Sequence, residues 1–211
     1  MTAPVANCPN CGAKIVFRWS SSVQTVCEYC KSILVRRDLD LAKVGTVADL
    51  PENSSPIQLG TEGIYQKKSF VVVGRIIYSY ELGTWNEWHV VTNNGQSEWL
   101  SDAQDEYAVT YPVPGRQLPP FQAVKLGQRY AWDSVNYIVS TITSARYVGV
   151  EGELPFEYWD KTEAMFVDLR STTGDFATLD YSDEQPLLYR GQLVDFDDLH
   201  LKNLRQFEGW S

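Results

Sequence analysis

Four cysteines within the first thirty residues constrain this chain more than anything else in its sequence. They stand as Cys8-Pro-Asn-Cys11 and Cys27-Glu-Tyr-Cys30, two C-x2-C pairs separated by fifteen residues. Two thiolates on one tight turn can face a single ion at about 2.3 Å, and two such turns complete a tetrahedron. The spacing therefore predicts a zinc ribbon over residues 1–40, with Cys8, Cys11, Cys27 and Cys30 holding one structural Zn2+. A four-sulfur shell leaves no open position for a catalytic water. The intervening residues read as a hairpin: Ile15-Val16-Phe17-Arg18-Trp19, a turn at Ser20-Ser21-Ser22, and a return along Val23-Gln24-Thr25-Val26. Gly12 follows the first pair, where a positive φ closes the turn, whereas Lys31 stands after the second.

Two disulfides are the alternative use of four cysteines, and they need an oxidising compartment. The opening Met1-Thr2-Ala3-Pro4 carries neither a basic nor an apolar signal region, so a cytoplasmic, reduced protein is expected. A redox-active pair would open a helix in a βαβ setting, a pattern this sequence lacks. Charge is uneven. Residues 1–43 carry six basic and three acidic groups, +3, against −9 for the whole chain, so the remainder carries −12. Four thiolates with one Zn2+ bring the ribbon to about +1. That balance argues against nucleic acid and against direct contact with anionic lipid, so membrane association is expected only through a partner.

After the ribbon, residues 41–56 contain Val44-Gly45-Thr46 and Leu50-Pro51-Glu52-Asn53-Ser54-Ser55-Pro56, which read as a linker without regular structure. From Ile57 on, short β signals recur. Phe70 to Tyr78 is rich in β-branched and aromatic residues, with Gly74 placed for a bulge. Trp88 to Thr92 and Ser97 to Leu100 flank Asn93-Asn94-Gly95-Gln96, a strong hairpin turn. Tyr107 to Tyr111 adds another strand. Only Leu199 to Phe207 hints at a short helix. The fold class is mainly β, a small four-cysteine zinc ribbon plus an antiparallel β domain of barrel or sandwich type.

That domain reads as duplicated, with units at 57–122 and 123–211. Leu59-Gly60 recurs as Leu126-Gly127, Tyr65 as Trp132, Phe70 as Tyr137, Val72 as Val139 and Tyr80 as Tyr147, all at an offset of 67. Beyond a gap, Trp88 is matched with Tyr158, and Trp99 with Met165-Phe166-Val167.

No catalytic motif is legible. His89 alternates with Trp88 and Val90 and is expected to face solvent. Asp195-Phe196-Asp197-Asp198 lacks the glycine and terminal glutamate of a calcium loop and reads as a turn, with Asp198 capping a helix at Leu199. Trp85, Trp88 and Trp99 with Glu87 form a candidate ligand site, since such rings stack on a carbohydrate, a cation or a polyamine, the last two helped by Glu87 and its acidic neighbours Glu81 and Glu98. Core packing is the competing reading for the tryptophans.

The residues Leu59-Gly60, Val73-Gly74-Arg75-Ile76-Ile77-Tyr78, Trp85-Asn86-Glu87-Trp88, Glu98-Trp99-Leu100, Gly191 and Phe196-Asp197-Asp198-Leu199 together resemble an uncharacterised bacterial family, the domain of unknown function 4178. The ribbon, with Phe17-Arg18-Trp19-Ser20-Ser21-Ser22, is similar to one that precedes this domain. The resemblance implies gene neighbours of the phage-shock membrane-stress type and polyamine-synthesis-like enzymes, and carries over no catalytic residue. The leading expectation is a non-enzymatic adaptor that docks a protein partner. The alternatives are a nucleic-acid-associated ribbon using Arg18, Lys31, Arg36 and Arg37, an accessory protein that binds a small cationic ligand, or an enzyme acting on a small cationic substrate.

Overall fold

The computed structural model describes residues 5–37, 40–47, 50, 54–158 and 163–207. Met1 to Pro4 of the expected ribbon and Pro51 to Asn53 of the expected linker lie outside the described residues. The ribbon contributes five strands: β1 (Val5–Asn7), β2 (Lys14–Val16), β3 (Gln24–Val26), β4 (Ser32–Arg37) and β5 (Asp40–Thr46). The expected hairpin does not form between its two arms. β2 pairs with β1, while β3 pairs with β4 and with a later strand. β5 is also a correction, because it turns the first part of the expected linker into a strand paired along β4.

The following residues form β6 (Glu62–Tyr65), β7 (Lys68–Tyr80), β8 (Gly83–Thr92), β9 (Ser97–Ala103), β10 (Glu106–Pro112), β11 (Arg129–Trp132), β12 (Val135–Leu154), β13 (Glu163–Arg170), β14 (Asp175–Asp180) and β15 (Leu187–Val194). Two antiparallel meanders, β7-β8-β9-β10 and β12-β13-β14-β15, join at both edges. β10 pairs with β15 and β7 pairs with β12. The sheet therefore closes on itself as an eight-stranded antiparallel barrel, which removes the open edges a flat sheet would carry.

The repeat is present in the backbone. β6 and β11 begin at Glu62 and Arg129, 67 residues apart, and each folds back onto the long strand after it. The turns between them use positive φ at Gln66 and Lys67, and again at Asp133 and Ser134. Gly60 N donates to Val72 O at 2.8 Å, and Gly127 N to Val139 O at 2.9 Å. Each long strand is bulged at the same place, between Val72 and Gly74 and between Val139 and Thr141. The later matches are corrected. The tight turns at Gly95 and Gly174 are equivalent, 79 residues apart, so Trp88 corresponds to Val167 and Trp99 to Thr178.

Apolar residues cover both faces of the barrel wall. Outside, Phe70, Val72, Trp88, Val90, Leu100 and Val109 pack beneath Ile57 and Leu199, while Tyr137, Val139, Val167, Leu169 and Leu179 pack beneath Val124. Leu199 belongs to a single 3-10 turn, Phe196–Leu199, rather than to a helix running to Phe207. Asp195, not Asp198, occupies its N-cap position, and no side chain caps it. No helix among the described residues is long and apolar enough to cross a membrane.

Candidate functional site

The two cysteine turns are built alike. Gly12 N donates to Cys8 O at 2.8 Å and Lys31 N to Cys27 O at 2.9 Å. Gly12 and Lys31 both take positive φ, so Lys31 adopts at some steric cost the conformation that glycine adopts freely. All four sulfurs lie within 4.8 Å of one another, with Cys8 to Cys30 and Cys11 to Cys27 at 3.7 Å. A disulfide would need about 2.05 Å. A tetrahedron with metal–sulfur bonds of about 2.3 Å has edges of about 3.8 Å, so these residues fit a metal ion. The Ser32 hydroxyl, 3.2 Å from Cys30 Sγ, and Asn10 lower the pKa of that thiol, while that of Cys11, hydrogen-bonded among the other sulfurs, is raised, so the four share their protons as one group. Among the described residues these cysteines form the one group of three or more His, Cys, Asp or Glu donors close enough to share an ion.

A second candidate site lies inside the barrel. It consists of an inner chamber of about 50 Å³ toward the ribbon and an outer chamber of about 370 Å³ toward the β7–β8 and β9–β10 turns. Glu87, Ser101, Phe166 and Thr178 border both chambers. Trp85 stacks on Tyr78 at 4.8 Å and meets Phe166 edge-on at 5.5 Å, so rings form much of the wall between them. Glu87 accepts from Trp85 Nε1 at 3.1 Å and from Ser101 Oγ at 2.8 Å. Burial pushes its carboxyl up to about 8. Asp168, on the outer chamber, accepts from Thr178 Oγ1 at 2.9 Å, and burial raises it to about 6. Among the described residues neither carboxyl has an ion-pair partner. Arg170 and Glu106 pair with each other at the rim.

The structure divides the expected ligand residues. Trp85 and Glu87 line the cavity, and Trp99 closes its inner end. Trp88 points to the opposite face of β8, buried beneath the Arg75 guanidinium, whose centre lies 4.8 Å from its ring. Arg75 in turn donates to Asn86 Oδ1 and to Glu151. Glu98 faces outward and pairs with Lys68, and Glu81 sits exposed in a turn.

His89 is not solvated. It is fully buried, with Nδ1 2.8 Å from Glu153 O and Nε2 2.8 Å from Ser97 Oγ. A carbonyl only accepts, so Nδ1 carries the proton and Nε2 accepts from the hydroxyl, which is the neutral imidazole. Burial lowers its pKa to about 4. The sequence reading missed Asp168, whose partner Thr178 is ten residues away on a neighbouring strand. It also missed Glu153, whose carboxylate takes Arg18 N at 2.5 Å, Trp19 N at 3.0 Å and the Ser22 hydroxyl.

The motif residues from Val73 to Tyr78, Trp85 to Trp88, Glu98 to Leu100 and Gly191 thus lie on strands of the barrel, with Leu59-Gly60 and Phe196 to Leu199 in turns beside it. The family's sequence profile, described as a domain of unknown function (DUF4178), matches residues 58–196. The chain belongs to the DUF4178 family. The matched span runs from just before β6 into the 3-10 turn, so the whole barrel is the DUF4178 domain and the ribbon precedes it. No curated protein and no solved structure matches the chain.

Proposed function

We propose that this DUF4178 protein is a non-enzymatic binding protein whose barrel interior takes a small organic cation, with zinc in the four-sulfur site of its ribbon. The observation that carries this reading is the pair of cavity carboxyls, Glu87 and Asp168, with no ion-pair partner among the described residues. Arg170 at the rim acts on Asp168, but among the described residues no cation acts on Glu87. A buried carboxylate so placed is costly, and a bound cation would supply the missing charge. The ring lining of Tyr78, Trp85 and Phe166 favours an organic cation over Ca2+ or Mg2+, which call for six or more oxygen ligands.

The test is calorimetric titration of the zinc-loaded protein with n-butylammonium chloride. Binding is expected to tighten from pH 6 to pH 8, because the cation must displace a proton from Glu87. Glu87→Gln is expected to weaken it by about thirtyfold or more. Equal weak binding by wild type and variant at both pH values would sink the reading. For the ribbon, native mass spectrometry is expected to find one zinc per chain, released on acidification as the thiolates protonate.

A second reading, docking of a protein partner through the ribbon, draws on one surface feature. Val5 and Val16 face each other across β1 and β2 and are 53% and 51% exposed, and Tyr29 is 78% exposed. A photo-cross-linking residue at position 29 would report such a partner. Nucleic acid draws less support, because Arg36 donates to Ser20 O and Arg37 pairs with Glu157.

A further inference from the structure

We infer that the ribbon is the latch of the inner chamber: Gln24 and Glu153 are positioning residues that hold residues 154–158 as its end wall, so that emptying the sulfur site opens the cavity at that end. The inference rests on the interior cavity being the binding site proposed above.

β12 ends at Leu154, and the next strand, β13, starts at Glu163. In between, Phe156 stacks on Trp99 at 5.7 Å, and Tyr158 meets Tyr78 edge-on at 6.2 Å with their hydroxyls 2.6 Å apart. Both rings line the inner chamber. Residues 155–158 belong to no strand, so barrel pairing does not fix them. The ribbon does. Gln24 is fully buried, and its amide works as one rung of a ladder. Nε2 donates to Tyr158 O at 3.1 Å, and Tyr158 N donates to Oε1 at 2.8 Å.

One residue earlier, Val23 N donates to Leu154 O at 3.0 Å, and β3 pairs with the end of β12 through Thr25 and Glu153. The Glu153 carboxylate gathers the Arg18 and Trp19 amides and the Ser22 hydroxyl, which fixes the ribbon's central turn against the barrel. Its carbonyl accepts a hydrogen bond from His89 Nδ1 on the barrel side. Glu153 thus belongs to both bodies. Ile33 and Val26 of the ribbon pack into the same ring cluster as Tyr78, Trp99 and Tyr158.

The ribbon's own core is small: Cys8, Ile15, Phe17, Cys27 and Leu34, two of them metal ligands. A core of that size depends on its metal for folding. Gln24 lies three residues from Cys27 on a strand of three residues, so loss of the metal removes the element that presents Gln24. By linkage, whatever fills the chamber must also tighten the metal.

Hydrogen exchange on the full chain tests this, comparing the zinc-loaded protein, the chelator-stripped protein, Gln24→Ala and Gln24→Glu. Stripping is expected to speed exchange at residues 153–158 and 99–101 by about tenfold or more, while 164–179 keep their protection. Gln24→Ala, with one zinc still bound by native mass spectrometry, is expected to speed exchange at 156–158. Gln24→Glu, which keeps only the bond from Tyr158 N, should fall between. Unchanged protection at 153–158 after stripping overturns the inference. So does uniform loss of protection across the barrel, since ribbon and barrel would then open as one unit. The exchange readout needs no ligand: if it behaves as expected while n-butylammonium fails to bind, the latch stands and the cation reading falls.

Discussion

Neighbouring residues on β8 have opposite jobs, and substitution should separate them. Trp88 fills the outer cluster, so Trp88→Ala is expected to cost about 3–5 kcal/mol in a denaturant melt. Glu87, one residue away, faces the cavity, and Glu87→Gln should leave the fold intact. Its pH signature has a definite sign. The carboxyl is raised from its ordinary value to about 8, so the folded state holds a proton that the unfolded chain releases. Its stabilising effect is complete below the unfolded value and is lost as pH rises toward 8, by about 1 kcal/mol per pH unit. Glu87→Gln should flatten that decline. His89 acts on the acid side. With its pKa lowered to about 4, it opposes folding as pH falls from its unfolded value near 6.5 toward 4. Melts of His89→Asn, followed against pH, should lack that component.

His89 also explains what a single sequence conceals. Alternation along a strand separates two faces but does not say which is wet, and here both faces of β8 are buried from Trp88 to Val91. Glu87 stood out as an acid between tryptophans. Asp168 did not, because its significance comes from a cavity assembled by strands far apart in the chain.

At the scale of elements, the two seams that join the meanders each depend on a glycine. A Cβ on Gly74 would lie 1.9 Å from Glu153 O at the β7–β12 seam, and one on Gly191 would lie 1.8 Å from Val109 O at the β10–β15 seam. Neither neighbour is a flexible side-chain tip; both are backbone carbonyls. Gly74→Ala and Gly191→Ala are each expected to cost about 3 kcal/mol in thermal or denaturant unfolding. Gly74 was legible as a bulge from its place within a β-branched run, and the bulge is there. The close approach of β12 was not, since it joins residues far apart in sequence. The same limit hid the pairing of β3 with β12, whereas the gathering of the four cysteines, set by spacing over four residues in each turn, was legible.

For the whole molecule, the sheet that closes the barrel continues through β12 into β3, β4 and β5, so ribbon and barrel share one hydrogen-bonded framework. Calorimetry should nevertheless resolve them. Stripping the metal is expected to remove or lower an early transition, while the main transition of the barrel persists, because its outer clusters do not include the ribbon. The mainly β class followed from composition and turn spacing. Closure did not, because it depends on which edges meet.

The way those edges meet carries a consequence of its own. By the repeat, β12 is the counterpart of β7 and β15 the counterpart of β10, so each seam joins a strand to its own equivalent in antiparallel register. That is the geometry of a two-fold axis. A single meander would present the same two self-complementary edges, and two identical copies could close one barrel between them as an isologous dimer. Fusing the copies into one chain makes that closure independent of concentration, and it frees the halves to diverge. Only the second half then carries the extended strand and the residues beyond it on which the ribbon is seated.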